Sequence, residues 1–297
     1  MNVLHAPALR TPSIALDREA LARDVSSLPS LPTVVVQLQS LMQQTDAPLD
    51  SFANTLQLDQ ALSVKVLQLA NSPFYGLCNR IGSVRDAINV LGLRQLGTLV
   101  LAAALTVQFE KLHGKALHID AFWRHSICCA VAARQIARLH SMNEPAAFTA
   151  GLLHDVGRLL VDSRHPEEAA AILAWAESQD IAYCEAELAL TGIAHAELGQ
   201  WVCQHWHFAP EITDAIAGHH QPGAATQVSL ADVVHVADAL AHALDLAGLD
   251  SEAVPAVDRG AWQRLALTEQ RTAILLRGIE EEFQQLQAVL RPGKETT

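Results

Sequence analysis

Gly151-Leu152-Leu153-His154-Asp155-Val156-Gly157-Arg158 sets a histidine and an aspartate side by side at the end of an apolar helical run. An imidazole and a carboxylate on one helical turn suit divalent transition metals such as iron, manganese or zinc, and a carboxylate can bridge two ions. On either side of that doublet the chain supplies more donors of the same two kinds: His125 before it, then His195, His219-His220 and Asp238 after it. A lone histidine on an alanine-rich helix is more often packed or exposed than a ligand. The joint order is what points to one pocket. Of the fourteen histidines, His5, His113, His118, His140, His165, His205, His207, His235 and His242 lack such a setting and read as surface or core residues. The same donors also admit a metal-free role, in which buried His and Asp side chains bond to one another and pin helices together.

The text on both sides of the doublet is helical. Asn143-Glu144-Pro145 starts the helix that ends near Gly157, and another runs from Asp120 to His140. Further helices are predicted over roughly 166 to 178, 183 to 207, 210 to 218 and 228 to 246, with Pro210 and Gln221-Pro222-Gly223 as breaks. Upstream, Leu28-Pro29-Ser30-Leu31-Pro32-Thr33 is a rigid lead-in to a compact bundle of five short helices. Ser83 caps one of them, Gly92 ends it, and Leu96 to Val107 reads as a buried helix. Period-two alternation is almost absent, so the fold class is all-α. Residues 1–24, with Pro7 and Pro12 and a short helical pattern from Leu16 to Val25, are predicted to be a loosely held arm. At the other end Leu275, Ile279, Phe283, Leu286 and Leu290 form an amphipathic stripe among Glu and Gln. Docking onto its own domain is expected; a helix shared in a homodimer, or a partner contact, is the alternative.

Bulk properties narrow the function. Half of the 297 residues are hydrophobic, enough for a sizeable core. A net charge of 20 − 32 = −12, with no basic cluster, repels phosphate backbones and argues against a nucleic-acid partner. Cys78, Cys128, Cys129, Cys184 and Cys203 are odd in number and contain no CxxC pair, so no disulfide is expected and a reducing compartment is. No signal peptide opens the chain, and the longest apolar stretch, Leu99 to Val107, is too short for a bilayer. These features predict a cytoplasmic protein with no membrane partner.

The donor order resembles the HD superfamily of metal-dependent phosphohydrolases, and several phrases resemble its HDOD branch, the HD-related output domains of bacterial signalling. Trp123-Arg124-His125-Ser126, Ala147-Phe148-Thr149-Ala150-Gly151-Leu152-Leu153-His154-Asp155 and Trp206-His207-Phe208-Ala209-Pro210 carry the likeness in the second half. In the first half it rests on Leu28-Pro29-Ser30-Leu31-Pro32, Leu58-Asp59-Gln60-Ala61-Leu62, Ala70-Asn71-Ser72-Pro73-Phe74-Tyr75 and Ala87-Ile88-Asn89-Val90-Leu91-Gly92. It extends over about residues 25 to 245. It implies an N-terminal helical bundle over 25–112 and an HD-like helical domain over 113–250 and leaves both ends unassigned; the stripe is what predicts a C-terminal amphipathic helix over 251–297.

The resemblance also implies a metal pocket built from His125, His154, Asp155, His195, His219, His220 and Asp238, holding one or two ions of iron, manganese or zinc. In an HD hydrolase such ions activate water against a phosphodiester, cyclic dinucleotides being the leading substrate class. The related HD-GYP enzymes carry Gly-Tyr-Pro after their paired histidines; here His219-His220 is followed by Gln221-Pro222-Gly223. They also tend to have lysine where this chain has Arg158, and some have a glutamate where it has Ala121. Arg158 keeps the charge and is the candidate phosphate contact, with a planar fork in place of a compact ammonium. The expected function is a regulatory output module that binds a signalling protein or a cyclic-nucleotide-type ligand; the alternative is an HD-type phosphodiesterase. A groove between the two helical halves is an expected ligand or partner surface; Asn71 to Tyr75 are candidates to line it, although a helix stop followed by an aromatic plug in the core is the preferred reading of them.

Overall fold

The computed structural model describes residues 14, 16–43, 48–71, 81–93, 96–98, 100–101, 103–104, 114, 116–224, 226–248 and 254–290. Every regular element among them is a helix, as the patterning predicts. The first half contains α1 (Arg18–Ser26), α2 (Thr33–Gln43), α3 (Leu49–Gln57), α4 (Gln60–Ala70) and α5 (Val84–Leu91). Helix α5 begins where the Ser83 side chain accepts the Asp86 N–H and stops at Gly92, whose φ of 81° is open to glycine without strain. Its apolar positions Val84, Ala87, Ile88 and Leu91 all face inward, as a three-to-four-residue repeat requires. Asn71 brackets the segment between α4 and α5: its side chain accepts the Ile81 N–H at 2.8 Å and donates to the Ile81 carbonyl at 2.9 Å. The rest of the expected groove lining, Ser72 to Tyr75, lies outside the described residues.

Part of the predicted loose arm is firmly held. Leu21 of α1 is fully buried in a cluster with Val161, Ala169, Ile193 and Leu198. Asp24 Oδ2 meets His165 Nε2 at 2.7 Å, and Arg18 pairs with Glu197. Burying a leucine side chain contributes about 2 kcal/mol, so an amphipathic helix with a waiting apolar patch docks even in proline-containing surroundings. Residues 1–13 and 15 of the arm lie outside the described residues.

The second half is built on α6 (Ile119–Leu139), followed by α7 (Glu144–Leu153), α8 (Val156–Arg164), α9 (Pro166–Gln179), α10 (Tyr183–Thr191), α11 (His195–His205), α12 (Pro210–Gly218) and α13 (Leu230–Ala243). Helix α6 is buried on nearly all sides, and Ala130, Val131, Ala132 and Ala133 are fully covered. Small side chains let neighbours approach closely: a Cβ on Gly151 of α7 would lie 2.9 Å from the Ala130 Cα. Helices α7, α13 and α15 (Glu269–Leu290) all pack on α6. One apolar cluster runs without interruption from Val25 through both halves to Leu286. The indole of Trp206 also donates to the Pro29 carbonyl at 3.1 Å, tying the proline-rich lead-in to the second half.

Three helices are shorter than the patterning suggests. The run expected to reach Gly157 breaks at His154-Asp155, so the doublet lies in the turn between α7 and α8. The run expected over 183 to 207 divides at Gly192, whose φ of 72° ends α10 before α11 starts at His195. The C-terminal segment divides into α14 (Arg259–Arg264), capped by Asp258, and α15. Apolar residues recur on both sides of each break, which hides the interruption from sequence patterning.

The described part of the C-terminal stripe docks on its own domain. Leu275, Ile279, Phe283 and Leu286 are buried, and Glu282 forms a buried ion pair with Arg134 of α6 while accepting a hydrogen bond from Gln135 at 2.9 Å. Replacing Phe283 by alanine is expected to destabilise the protein by about 3–5 kcal/mol. Urea denaturation checks this, and a midpoint equal to that of the wild type would mean that α15 does not hold the core.

Candidate metal centre

Five separate segments deliver the donors. His125 comes from the middle of α6, His154 and Asp155 from the α7–α8 turn, His195 from the first residue of α11, His219 and His220 from the end of α12, and Asp238 from α13. All seven residues expected from sequence lie together. Among the described residues, three overlapping groups could hold a metal: Asp155, His195, His219 and His220; His125, His154 and Asp155; and His125, Asp238 and His242. Asp155 belongs to two of them, which is the position of a bridging carboxylate.

Local structure aims the imidazoles. His154 and His219 each follow the last residue of a helix, and each ring Nδ1–H donates to the carbonyl three residues back, Gly151 at 2.8 Å and Ile216 at 2.7 Å. A carbonyl only accepts, so Nδ1 must carry the proton and the Nε2 lone pair of the neutral ring faces the cluster. His195 reaches the same state through Glu187 of α10, whose Oε2 accepts from Nδ1 at 2.5 Å and from the His195 backbone N–H at 2.9 Å. A partner on the far nitrogen is the usual support of a metal-bound histidine. The approach of α8 to α11 needs Gly157, where a Cβ would lie 2.0 Å from the His195 carbonyl oxygen.

The spacing between donors suits a shared ion. Bonds of roughly 2.1 Å at tetrahedral angles place two ligands about 3.4 Å apart. His154 Nε2 stands 3.5 Å from Asp238 Oδ1 and 3.6 Å from Asp155 Oδ1, and His125 Nε2 lies 3.3 Å from His154 Nε2. His219 Nε2 lies 3.8 Å from Asp155 Oδ1 and is buried with no hydrogen-bond partner. Three pairs are closer: His125 Nε2 with Asp238 Oδ1 at 3.0 Å, and His195 Nε2 with Asp155 Oδ1 at 3.0 Å and with His220 Nε2 at 2.8 Å. An orphaned lone pair beside a buried carboxylate is a place a cation would satisfy, and the donor set fits a divalent metal of the borderline class.

Without a metal, protons carry the compensating charge. Burial alone would raise the Asp155 pKa, but His154, His195 and Arg158 hold it well below the usual carboxylate range. Burial works the same way on Asp238, and the hydrogen bonds to His125 and His154 outweigh it. Burial opposes the charge on His195, yet Glu187 and Asp155 raise its pKa to about 9. His154 is also raised, against burial, by Cys129, Asp155 and Asp238. Burial and the neighbouring His195 push His220 down to about 3, and burial with His220 pushes His219 down as well.

Arg158, the expected phosphate contact, is turned inward. Its Nη1 donates to Asp155 Oδ2 at 2.9 Å, and its guanidinium lies 4.4 Å from the centre of the Tyr183 ring. Two residues of the site were not found by sequence reasoning. His242, grouped there with core and surface histidines, stands 3.4 Å from Asp238 Oδ1; its position four residues after Asp238 on one helix was the available signal. Glu187 gave no such signal, because the turn at Gly192 is what folds it back onto His195. Other histidines set aside are structural: His235 donates to the His219 carbonyl at 2.7 Å and accepts the Asp258 N–H at 2.7 Å.

Glu187→Gln is expected to weaken metal binding by about 10- to 100-fold, measured by competition with a chelator. In metal-free protein the raised pKa of His195 contributes stability that is complete below pH 6.5 and is lost as pH rises through about 9. Urea midpoints across that window should fall in the wild type and change less in Glu187→Gln.

The HDOD domain family model matches residues 28–222. A Geobacter sulfurreducens HDOD domain protein with unknown function is 26% identical, with a TM-score of 0.73 over 92% of this chain and 97% of its own. A Shewanella amazonensis SB2B protein with a provisional phosphohydrolase name is 29% identical, with a TM-score of 0.67 over 91% of this chain and 95% of its own. An uncharacterised Treponema pallidum (strain Nichols) protein is 23% identical over 205 residues, 68% of this chain. The chain spans only 39% of the length of that curated relative. With the family match extending over most of the chain and the predicted histidine and aspartate donors converging in its fold, the protein belongs to the HDOD domain family.

Proposed function

We propose that the protein is a regulatory output module that acts by binding a signalling protein or a nucleotide-type ligand, with one or two divalent ions in the His/Asp pocket. The closure of the pocket is the observation that carries this reading. His154 and His219 are fully buried, and His125, Asp155, His195 and Asp238 are no more than 5% exposed. A catalytic metal keeps a coordination position open to its substrate, and a phosphodiester with its flanking nucleosides needs far more room than an ion or a water. Arg158 supports the same reading, since its guanidinium is engaged by Asp155 and Tyr183. In this role the ions lock five segments of the second half into one arrangement. The activity would belong to the cytosol; among the described residues no helix is long and apolar enough to cross a membrane.

The second reading is a metal-dependent phosphohydrolase acting on a cyclic dinucleotide or another phosphodiester. The bridging position of Asp155 between two donor groups favours it, as does the name of the Shewanella protein. Bound ions would polarise the phosphate and lower the pKa of a water. Asp155 would hold both ions, and Glu187 would keep His195 oriented.

Turnover decides between the two. Protein loaded with manganese, iron or zinc is expected to hydrolyse neither cyclic di-GMP nor bis(p-nitrophenyl) phosphate above the free-metal background. Turnover that disappears in the His154→Ala, Asp155→Ala double variant would establish the enzyme instead.

A further inference from the structure

Helix α1 ends at Ser26, just ahead of the stretch from residue 28 that matches the HDOD domain, yet it fills a shaped seat on the second half. Leu21 is fully buried in a socket made by Val161 of α8, Ala169 of α9, Ile193 ahead of α11 and Leu198 of α11. Polar groups mark both ends of that socket. One turn before Leu21, Arg18 pairs with Glu197, and its guanidinium lies 5.2 Å from the centre of the Trp201 ring. One turn after it, Asp24 Oδ2 accepts from His165 Nε2 at 2.7 Å, and Ser27 Oγ accepts from Arg164 Nη2 at 3.4 Å. A base, an aliphatic residue and an acid spaced three apart share one helical face. The seat therefore selects by charge as well as by shape. Apart from Leu21 and Val25, which are buried, its contacts are weak ones: the Arg18 and Glu197 side chains are 56% and 34% exposed, and such pairs contribute little. A helix of 9 residues does not persist alone in water, so α1 keeps its form only while it is seated.

We propose that this seat is the docking site for an amphipathic helix of a protein partner, and that α1 is the built-in competitor that occupies it in the unbound chain. The partner that fits presents a base, an aliphatic residue three positions later and an acid three beyond that, as Arg18, Leu21 and Asp24 do. Glu197 and Trp201 receive the base, and His165 receives the acid. The inference deepens the reading of the protein as a module that binds a signalling protein, and it needs no metal. Ile193 and Leu198 stand on either side of His195 in the chain, so one helix replaces the other against the segment that carries a donor of the pocket.

A fluorescein-labelled peptide of residues 14–27, added to the full chain and followed by anisotropy, tests this. It should bind the Leu21→Asp chain, whose own α1 no longer competes, and bind the wild type about tenfold or more weakly, because a tethered competitor acts at high effective concentration. The same peptide with Arg18→Glu should bind the Leu21→Asp chain about two- to fivefold more weakly and recover when that chain also carries Glu197→Arg. Hydrogen exchange needs no variant: in the wild type the amides of α1 should exchange faster than those of α6, through local opening. Exchange in α1 as slow as in α6, or no peptide binding by a folded Leu21→Asp chain, would overturn the seat, whereas phosphodiester turnover would overturn only the output reading. A wild-type dimer in sedimentation that Leu21→Asp dissolves would place a second copy in the seat and overturn the partner.

Discussion

The Asp155 carboxylate carries its charge at only 4% exposure, and the surrounding structure answers that constraint. An unpaired buried charge costs several kcal/mol even after relaxation. Here Arg158 pairs with one oxygen, and the Nε2 atoms of His154, His195 and His219 lie 3.0 to 3.8 Å from the other. Those rings are in turn held from behind by Gly151, Glu187 and Ile216. Charge balance can come from protons on His154 and His195 or from a divalent ion, and the geometry accommodates either. The same arrangement therefore suits a metal-free network of hydrogen bonds, and a metal bound there would displace protons.

Convergence of five segments demands close backbone packing, and small residues supply it. Glycine at 151 lets α7 lie against α6, and glycine at 157 lets α8 lie against the start of α11. The alanine run of α6 is fully buried, so the central helix acts as a slim post around which α7, α13 and α15 gather. The apolar cluster continues into the first half, where α2 to α5 supply Val35, Leu38, Phe52, Leu56, Val66 and Ile88. A packed core has low compressibility. On the proposed reading, a change at the pocket that shifts α6 would be carried to distant surfaces, which supports taking the pocket as part of an output device.

On the proposed reading, the burial of the pocket sets this chain apart from what its donor order alone suggests. The ligand types are those of hydrolases, but water and substrate access is a property of how the helices stack. Arg158 shows the same divergence. By composition it is an anion-binding group, yet it lies under Tyr183 and against Asp155, where it stabilises the carboxylate.

Residue types and order determined the all-helical class, the family and seven members of the pocket, because metal chemistry restricts donors to a few side chains and amphipathic helices write their period openly. The structure decided what spacing along the chain does not encode. It divided helices at His154-Asp155 and at Gly192, where apolar residues recur on both sides of the turn. It brought Glu187 onto His195 and His242 beside Asp238, and it sealed α1 and α15 onto the second half. These are long-range contacts between segments whose local patterns are ordinary, and a local pattern holds no information about which distant partner will cover it.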